Sequence, residues 1–496
     1  MHKNRLKYRL KYRLKVDKNR LNNFMERIGR TLAGLALLSA IAGCAPIRVV
    51  GPNYTSPPSG MAAAWQTTQP HNGSKASLAQ WWQQFDDPVL VQLIEQAQTE
   101  NSSVAQAQSR IVQARGQVIA ASAASQPNLD VGTNFNRAAV SFGGPVIVRS
   151  LTQVQAQSAW EIDLFGANRR EREAVAARLD ARQADWHEAR VAVATEVANL
   201  YLQLRFCALQ VMVLEEDLKS RRETARLTEL SAKAGFQAPA NAALIKASAS
   251  DAAARLIAQQ ADCDLSVKAL VALSGSEENA MRNELAKGKA RQPQVAEFSI
   301  AQVPAELLTQ RPDLTSAERE LAAASADIGI AEAARYPRLS LSGSIAPVLL
   351  ASAGQTVRAL TWSVGPAITL PVFDGGRRLA NVETAKANYQ SAEAHYRQKV
   401  RQAVREVEEA LIRLASANNR KADVNAAADG YRANLAAAQS RFGAGVGSVL
   451  ELEESRRLSL VAEANVIAIQ RDRVTAWVSL YRAMGGGWTS QTPSKP

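Results

Sequence analysis

The chain has 496 residues with a formal net charge of +13, 47% hydrophobic and 5% aromatic residues, four histidines and three cysteines. The histidines, His2, His71, His187 and His395, are scattered, so neither a metal cluster nor a Ser-His-Asp set has support and catalysis is not expected. Residues 1–30 hold eleven Lys or Arg against Asp17 and Glu26, which leaves 13 − 9 = +4 for the chain from Cys44, so the basic balance implies no nucleic-acid partner.

Residues 1–43 read as a bacterial lipoprotein signal. The short apolar run Leu32 to Ile41 ends in Ile41-Ala42-Gly43-Cys44 with basic residues upstream, and diacylglyceryl transfer needs a thiol directly after small residues. The run is well under the roughly 20 residues of a membrane-spanning helix. Ala45 is not the aspartate that, in lipoproteins generally, retains such proteins at the inner membrane. The expected destination is the outer membrane, with a covalent lipid on Cys44 and no cofactor. The "KYRLKYRLK" stretch is long for a signal, which makes Met25 an alternative start.

A lipidated N-terminal segment, residues 44–87, precedes two copies of one unit, 88–290 and 300–488, and a C-terminal tail, 489–496. Each copy opens with a helix, from about Pro88 to Ser125 and from Pro312 to Tyr336. Two strands follow in each. Around Leu129, Val131, Thr133 and Phe135, and around Leu339, Leu341, Gly343 and Ile345, the intervening residues are mostly polar. In Leu151 to Phe165 the apolar Val154, Ala156, Trp160, Ile162 and Leu164 alternate with Gln153, Gln155, Gln157, Glu161 and Asp163; Leu360, Trp362, Val364, Ile368, Leu370 and Val372 repeat the pattern. Period two with turn-like Gly and Pro between partners predicts antiparallel hairpins with one oily and one wet face.

Proline-free stretches from Gly166 to about Lys233 and from Gly376 to about Phe442 predict helices of roughly 67 residues, about 100 Å each. Val400, Val404, Val407, Leu411 and Leu414 step by four and three along a coiled-coil seam. Each long helix stops at a Gly loop, "AGFQAP" at 234–239 or "GAGVGS" at 443–448, and a shorter helix returns. The strands are thus expected at one end of a rod and the Gly loops at the other. Pro127 to Pro337, Val131 to Leu341, Gly235 to Gly445 and Gly275 to Gly485 are each 210 apart, whereas Phe165, Arg169 and Arg170 match Phe373, Arg377 and Arg378 at 208.

Two hairpins give four strands, too few for a membrane barrel, whose smallest members need about eight. Oligomerisation therefore follows if the strands span a membrane, and a trimer gives twelve. A soluble sheet packed under the helices, in a non-conducting helical spacer lipoprotein, is the alternative. Cys207 and Cys263 lie 28 residues before and after Gly235 and pair across a helical hairpin or remain two buried free thiols, the second being the commoner case.

"VGPNY" at 50–54, "WWQQFDDPVL" at 81–90, "WEIDLFG" at 160–166, the stretch 303–343 with its "RPD...AER" block at 311–319, "VFDGGRR" at 372–378 and "MGGGW" at 484–488 resemble the outer membrane efflux proteins. The likeness is to the TolC-like channels of the lipoprotein (NodT) branch. It covers essentially the whole mature chain. It implies a mainly α fold with a membrane β-barrel: a homotrimer with a twelve-stranded β-barrel in outer membrane lipid and a twelve-helix periplasmic α-barrel. It also implies passive conduction, energised by an inner-membrane RND pump and coupled through a periplasmic adaptor, with a protein-secretion conduit as the alternative cargo. The Gly loops then become periplasmic tips for adaptor docking: Ala234, Gly235 and Phe236 at one, Arg441, Phe442, Gly443, Gly445 and Val446 at the other. Gly447 stands where relatives often carry an acidic gate residue. Glu451, Glu453 and Glu454 are the candidate gate carboxylates, and Arg456 and Arg457 are candidates to tie the tip shut. Gln153, Gln155, Gln157, Glu161 and Asp163 are the expected lumen residues. Gly443, Gly445 and Gly447 miss the G-x-G-x-x-G spacing and join two helices, so they are no nucleotide loop.

Overall fold

A computed structural model describes residues 49–57, 81–287 and 311–487, apart from Phe142, Pro145 and Ala353. Cys44, the signal and the tail from 489 lie outside the described residues. The chain divides into two compact units. Ser122–Glu171 and Asp327–Glu383, with the segment up to Pro52, form one; Asn53–Ala121, Arg172–Ala326 and Thr384–Pro496 form the other. The units cut across the two sequence copies, each copy giving strands to the first and most of its helices to the second.

The elements in order are α1 (Pro88–Glu100), α2 (Ser102–Ala123), β1 (Asn128–Val140), β2 (Ile147–Ile162), α3 (Ala167–Lys233), α4 (Pro239–Ser274), α5 (Glu278–Lys287), α6 (Pro312–Ala333), β3 (Arg338–Ser352), β4 (Gln355–Thr369), α7 (Arg377–Gly443) and α8 (Val449–Ala483). The helix expected from Pro88 to Ser125 is broken at Asn101. That residue is extended, its side chain accepts from Ser103 N at 2.9 Å, and it donates to Leu273 O at 3.2 Å. A short polar side chain that satisfies backbone groups itself competes with the helix ladder.

The repeat is more regular than the sequence motifs suggest. Ala167 and Arg377 open the two 67-residue helices, and Lys233 and Gly443 close them, a 210-residue offset at both ends. The corner therefore aligns at 210, not at 208. Phe165 stacks on Tyr336 with ring centroids 4.6 Å apart, whereas Phe373 is 91% exposed, so the two phenylalanines are not equivalent.

The first unit holds one antiparallel sheet in the order β1-β2-β3-β4. Its registers put β1 odd, β2 even, β3 odd and β4 even residues on one face: Val131 opposes Ala156, Trp160 opposes Leu341, and Ile345 opposes Trp362. This oily face is exposed, with Leu129, Val131, Phe135, Leu360, Trp362, Val364 and Ile368 each more than 60% accessible. A soluble sheet would hide such a face against a core. At the corner, Val50 N donates to Phe165 O at 3.1 Å, and Arg170 Nε donates to Val50 O at 3.2 Å, fixing the N-terminal segment onto the end of β2.

The second unit has an apolar core in which Leu90, Tyr201, Leu202, Leu270, Leu411, Leu414 and Trp477 are almost fully buried. The seam residues Val400, Val407, Leu411 and Leu414 are buried in this core, and Val404 packs against it. One 18-residue window of α3 is apolar enough by length and composition to cross a membrane, but half of it is buried, and Val193, Val197, Tyr201 and Leu204 of α3 belong to the core. Asp87 caps α1 by accepting from Val89 N at 3.1 Å and also accepts from the Tyr201 hydroxyl. Trp81 packs on Trp477 and Tyr481, with centroids 5.9 and 5.4 Å away, which accounts for the "WWQQFDDPVL" block. Arg311 of the "RPD" block is buried. It donates to Asp313 at 2.9 Å, Glu406 at 2.8 Å and Ala483 O at 2.7 Å, tying the start of α6 to α7 and the end of α8. Burial works against its charge, yet the two carboxylates raise its pKa above the ordinary arginine value.

Candidate functional site: hairpin tips and strand face

Both tips close in the same way. At the first, Phe236 N donates to Ser231 O at 2.9 Å and Gly235 N to Ala232 O at 3.0 Å; at the second, Val446 N donates to Arg441 O and Gly445 N to Phe442 O, both at 3.0 Å. This is the helix-ending loop that needs a left-handed residue, and Gly235 and Gly445 supply it with φ of 80° and 75°. Ala234 donates to Leu230 O within the same turn. Arg441, Phe442 and Gly443 are the last residues of α7 and not part of the loop. The equivalent side chains Phe236 and Val446 project into solvent at 83% and 78% exposure. Leu450 adds a third apolar group at 73%.

Gly447 is closely packed against the end of α7. Its N–H also bonds Arg441 O at 3.0 Å, and a Cβ at this site would lie 2.7 Å from Phe442 N and 3.0 Å from Arg441 C. Both are backbone atoms that cannot swing aside. Gly447→Asp is expected to lower stability by about 1–3 kcal/mol, as overpacking does. Urea denaturation of the purified variant measures this, and an unchanged midpoint would show that the loop has another accessible shape.

The candidate gate residues fall into two groups. Glu451 pairs with Arg441 across the loop, and its N–H donates to the Ser448 hydroxyl at 3.1 Å, Ser448 being the N-cap of α8. Glu454 bonds Arg457 at 2.6 Å one turn along the same helix; both are exposed, and that bond holds the Glu454 carboxyl below its ordinary pKa. Within one copy Arg457 is thus bonded to its own helix. Glu453 and Arg456 point the other way, into a buried polar cluster. Arg456 is 3% exposed; it donates to Glu453 at 2.9 Å, to Ser220 Oγ at 3.1 Å and to Thr224 Oγ1 at 2.6 Å. Glu453 also accepts from Arg221 at 2.5 Å and from Ser248 at 2.6 Å, while Asp217 takes the other side of Arg221 at 2.9 Å. The cluster joins α3, α4 and α8. Arg456 thus joins α8 to α3 within one copy, and burial lowers its pKa from the arginine norm.

Asp217, Arg221 and Ser248 carry no signal in the sequence that marks them as a buried cluster. The Asp217/Arg221 spacing of four residues is an ordinary helical ion pair, and only folding reveals that it is buried.

On the sheet, Gln153, Gln155, Gln157 and Glu161 lie on the face opposite the oily one, and Gln153 donates to Gln155 at 3.0 Å. Asp163 lies past the end of β2, and its carboxylate accepts from Arg169 N at 2.9 Å in the first turn of α3. Cys207 and Cys263 are joined as a disulfide between α3 and α4, with Cα atoms 5.7 Å apart. Of the two alternatives open in the sequence, the structure has the paired one. Among the described residues no group of three or more His, Cys, Asp or Glu is placed to hold a metal ion.

An exposed apolar strand face, two long helical hairpins with glycine tips and a buried ionic tie define a membrane conduit of the TolC-like class. The chain belongs to the outer membrane efflux protein family, whose model matches residues 93–276 and 303–486, the two segments again offset by 210. It is 29% identical to nodulation protein T of Rhizobium leguminosarum bv. viciae over 470 residues, covering 94% of this chain and 95% of that protein. It is also 29% identical to the solvent efflux pump outer membrane protein SrpC of Pseudomonas putida, covering 93% of this chain and 98% of that one. The solved outer-membrane channel OprN superposes with a TM-score of 0.80 at 29% identity, over 88% of this chain and 99% of that one. The protein is an outer membrane efflux channel component, and its family consists of conduits, not enzymes.

Proposed function

We propose that three copies of this chain close a twelve-stranded barrel in the outer membrane and conduct small organic solutes delivered by an inner-membrane RND pump through a periplasmic adaptor. The observation that carries this reading is the four-stranded sheet with an exposed oily face and two unpaired edge strands. In lipid such a face is satisfied and such edges are not, so the sheet must be completed by other copies. Four strands per copy make twelve for three, and the copy number is taken from the family. The lipid on Cys44 is part of the proposal. The fixed segment at Val50 begins only six residues downstream, at the end of β2 where a strand leaves the barrel.

The adaptor's docking points are the tips with exposed Phe236, Val446 and Leu450. The cargo class rests on the names of relatives, which include solvent and toluene efflux proteins. The exposed Glu451 and Glu454 are the lumen-facing gate candidates, because Glu453 is spent inside the cluster. Single-channel conductance of the purified mature protein in planar bilayers tests the reading, beside the Glu451→Gln/Glu454→Gln double variant. Cation-preferring openings that become less frequent and less cation-selective in the variant are expected, since removing like charges from a threefold ring relieves the repulsion that opposes closure. Equal opening frequency would discard the acidic gate and keep the channel. Verified trimers that never conduct, even after the tip residues are cut away, would end the conduit reading.

A further inference from the structure

We propose, resting on the conduit reading above, that Arg137 and Arg358 form a binding site on the oily face of the sheet for a glycolipid headgroup that carries phosphate monoesters, in the outer leaflet of the outer membrane. β2 leads into α3 and β4 into α7 at one end of the sheet, so the β1–β2 and β3–β4 turns lie at the other. With the helices in the periplasm, the turns face the cell exterior.

The registers sort every strand residue by face. On the oily face, made of odd residues from β1 and β3 and even residues from β2 and β4, the four strands carry two charged residues, Arg137 and Arg358. Both are exposed. The other charged strand residues, Asp130, Arg149, Glu161 and Arg338, lie on the wet face. The two carboxylates among them sit toward the helix end, where Asp130 opposes Gln157 and Glu161 opposes Ser340, so neither arginine has an acidic partner in its own sheet.

The two arginines occupy adjacent rows of this face near the turns. Arg137 opposes Ser150, whose row runs on through Ala351 to Thr356, and Phe135 opposes Thr152, whose row runs on through Leu349 to Arg358. Ser150, Thr152 and Thr356 thus add hydroxyls to a polar belt across all four strands. The rows from Ile162 to Val154 carry no charge on this side. Ten residues of β2 separate Ile162 from Thr152 (162 − 152 = 10), about 33 Å along the strand and about 25 Å in height at a tilt of about 40°, which is the height of the apolar band of membrane barrels. An arginine facing lipid is costly at mid-membrane and nearly neutral at its boundary. The belt therefore marks the outer edge of the hydrocarbon, where phosphates are the anions at hand, and guanidinium groups take phosphate oxygens in pairs. Arg137 and Arg358 are about 14 Å apart across three strand spacings and about 7 Å apart along the strands. That is too far for one phosphate and suits a disaccharide phosphorylated at both ends.

Full-length lipidated protein in detergent, titrated with diphosphoryl lipid A and with its dephosphorylated form, tests this by native mass spectrometry. Arg137→Gln/Arg358→Gln is compared with Arg149→Gln, which removes a charge near the same turns from the wet face. Affinity for the diphosphoryl lipid is expected to fall about fivefold for each oily-face arginine removed and to stay unchanged in Arg149→Gln. Wild-type protein should bind the dephosphorylated lipid as weakly as the double variant binds the phosphorylated one, a comparison that needs no variant to fold. Equal affinity of wild type for both lipids, or of wild type and double variant for the first, would overturn the site. An equal loss in Arg149→Gln would reduce it to net charge. Displacement by inorganic phosphate at the lipid's own concentration would leave a plain anion site and remove the lipid. Sedimentation and conductance of the same samples separate the two readings: trimers that conduct but show no phosphate preference sink this inference alone, whereas wild-type protein that neither trimerises nor conducts sinks the conduit and this site with it.

Discussion

Replacing Glu453 by alanine is expected to cost about 3–5 kcal/mol of stability, the range for removing one partner from a buried ion pair. Glu453 is the shared acceptor of Arg221, Arg456 and Ser248. The side chains of Arg221 and Arg456 are 6% and 3% exposed, so without Glu453 two buried guanidinium groups are left with Asp217 as the one carboxylate in hydrogen-bond contact. Arginine cannot escape by losing its proton. Glu453→Gln keeps the volume and an acceptor for Ser248 and should cost less than the alanine. The comparison that gives the number meaning is Arg457→Ala. It breaks an exposed pair with Glu454, which surface measurements place at about 0–1 kcal/mol. Urea midpoints followed by helical circular dichroism would rank the three. If Glu453→Ala behaved like Arg457→Ala, the cluster would be solvated in solution and would not be the tie between α8 and α3. On the conduit reading the same variant should open more often in bilayers, since its loss frees α8 from α3 and α4 near the second tip.

Much of this architecture is legible in the residues because it is repetitive. Ten or more alternating positions mark a strand whichever environment it enters, and a 67-residue proline-free stretch marks a helix too long for a globular domain. The 210-residue spacing of Gly235 and Gly445 locates both tips before any coordinate is known. What escapes the sequence is whatever depends on which neighbour a side chain meets. Glu451, Glu453 and Glu454 look alike in a row, yet the rotation of α8 sends Glu453 inward and leaves the other two in solvent. Asp163 continues the strand's alternation but falls one residue past its end, where the N–H of Arg169 is the nearer claimant. The corner motif misleads by two residues because like side chains, Phe165 and Phe373, occupy unlike places; backbone geometry, and not composition, fixes the equivalence. Gly447 reads as a lost gate residue in the sequence and as a tightly packed loop position in the structure.

The disulfide carries the other large expected effect. Cys207 and Cys263 are 56 residues apart in sequence, and closing a loop of that length in the unfolded chain stabilises the folded one by about 4 kcal/mol in the chain-entropy account. The bond lies beside an open cavity of about 550 Å³ lined by Cys207, Phe206, Gln259, Leu265, Ile467 and Arg471 among others. Its counterparts one repeat later are Ala417 and Arg473, so the α3/α4 hairpin is stapled and the α7/α8 hairpin is not. Titration of unfolded, unreduced mature protein should therefore find no free thiol, and two would show that the bond does not form. Reduction, or the Cys207→Ser/Cys263→Ser variant, should lower the denaturation midpoint by the equivalent of about 4 kcal/mol. The loss should be confined to the unfolded-state term. Hydrogen exchange in α7 and α8 should then change no more than the global stability does, while the tip-ward part of α3 and α4, the 57-residue loop the bond closes, should exchange faster through local opening. Equal loosening of both hairpins would mean that the bond acts through the shared core and not through its own loop.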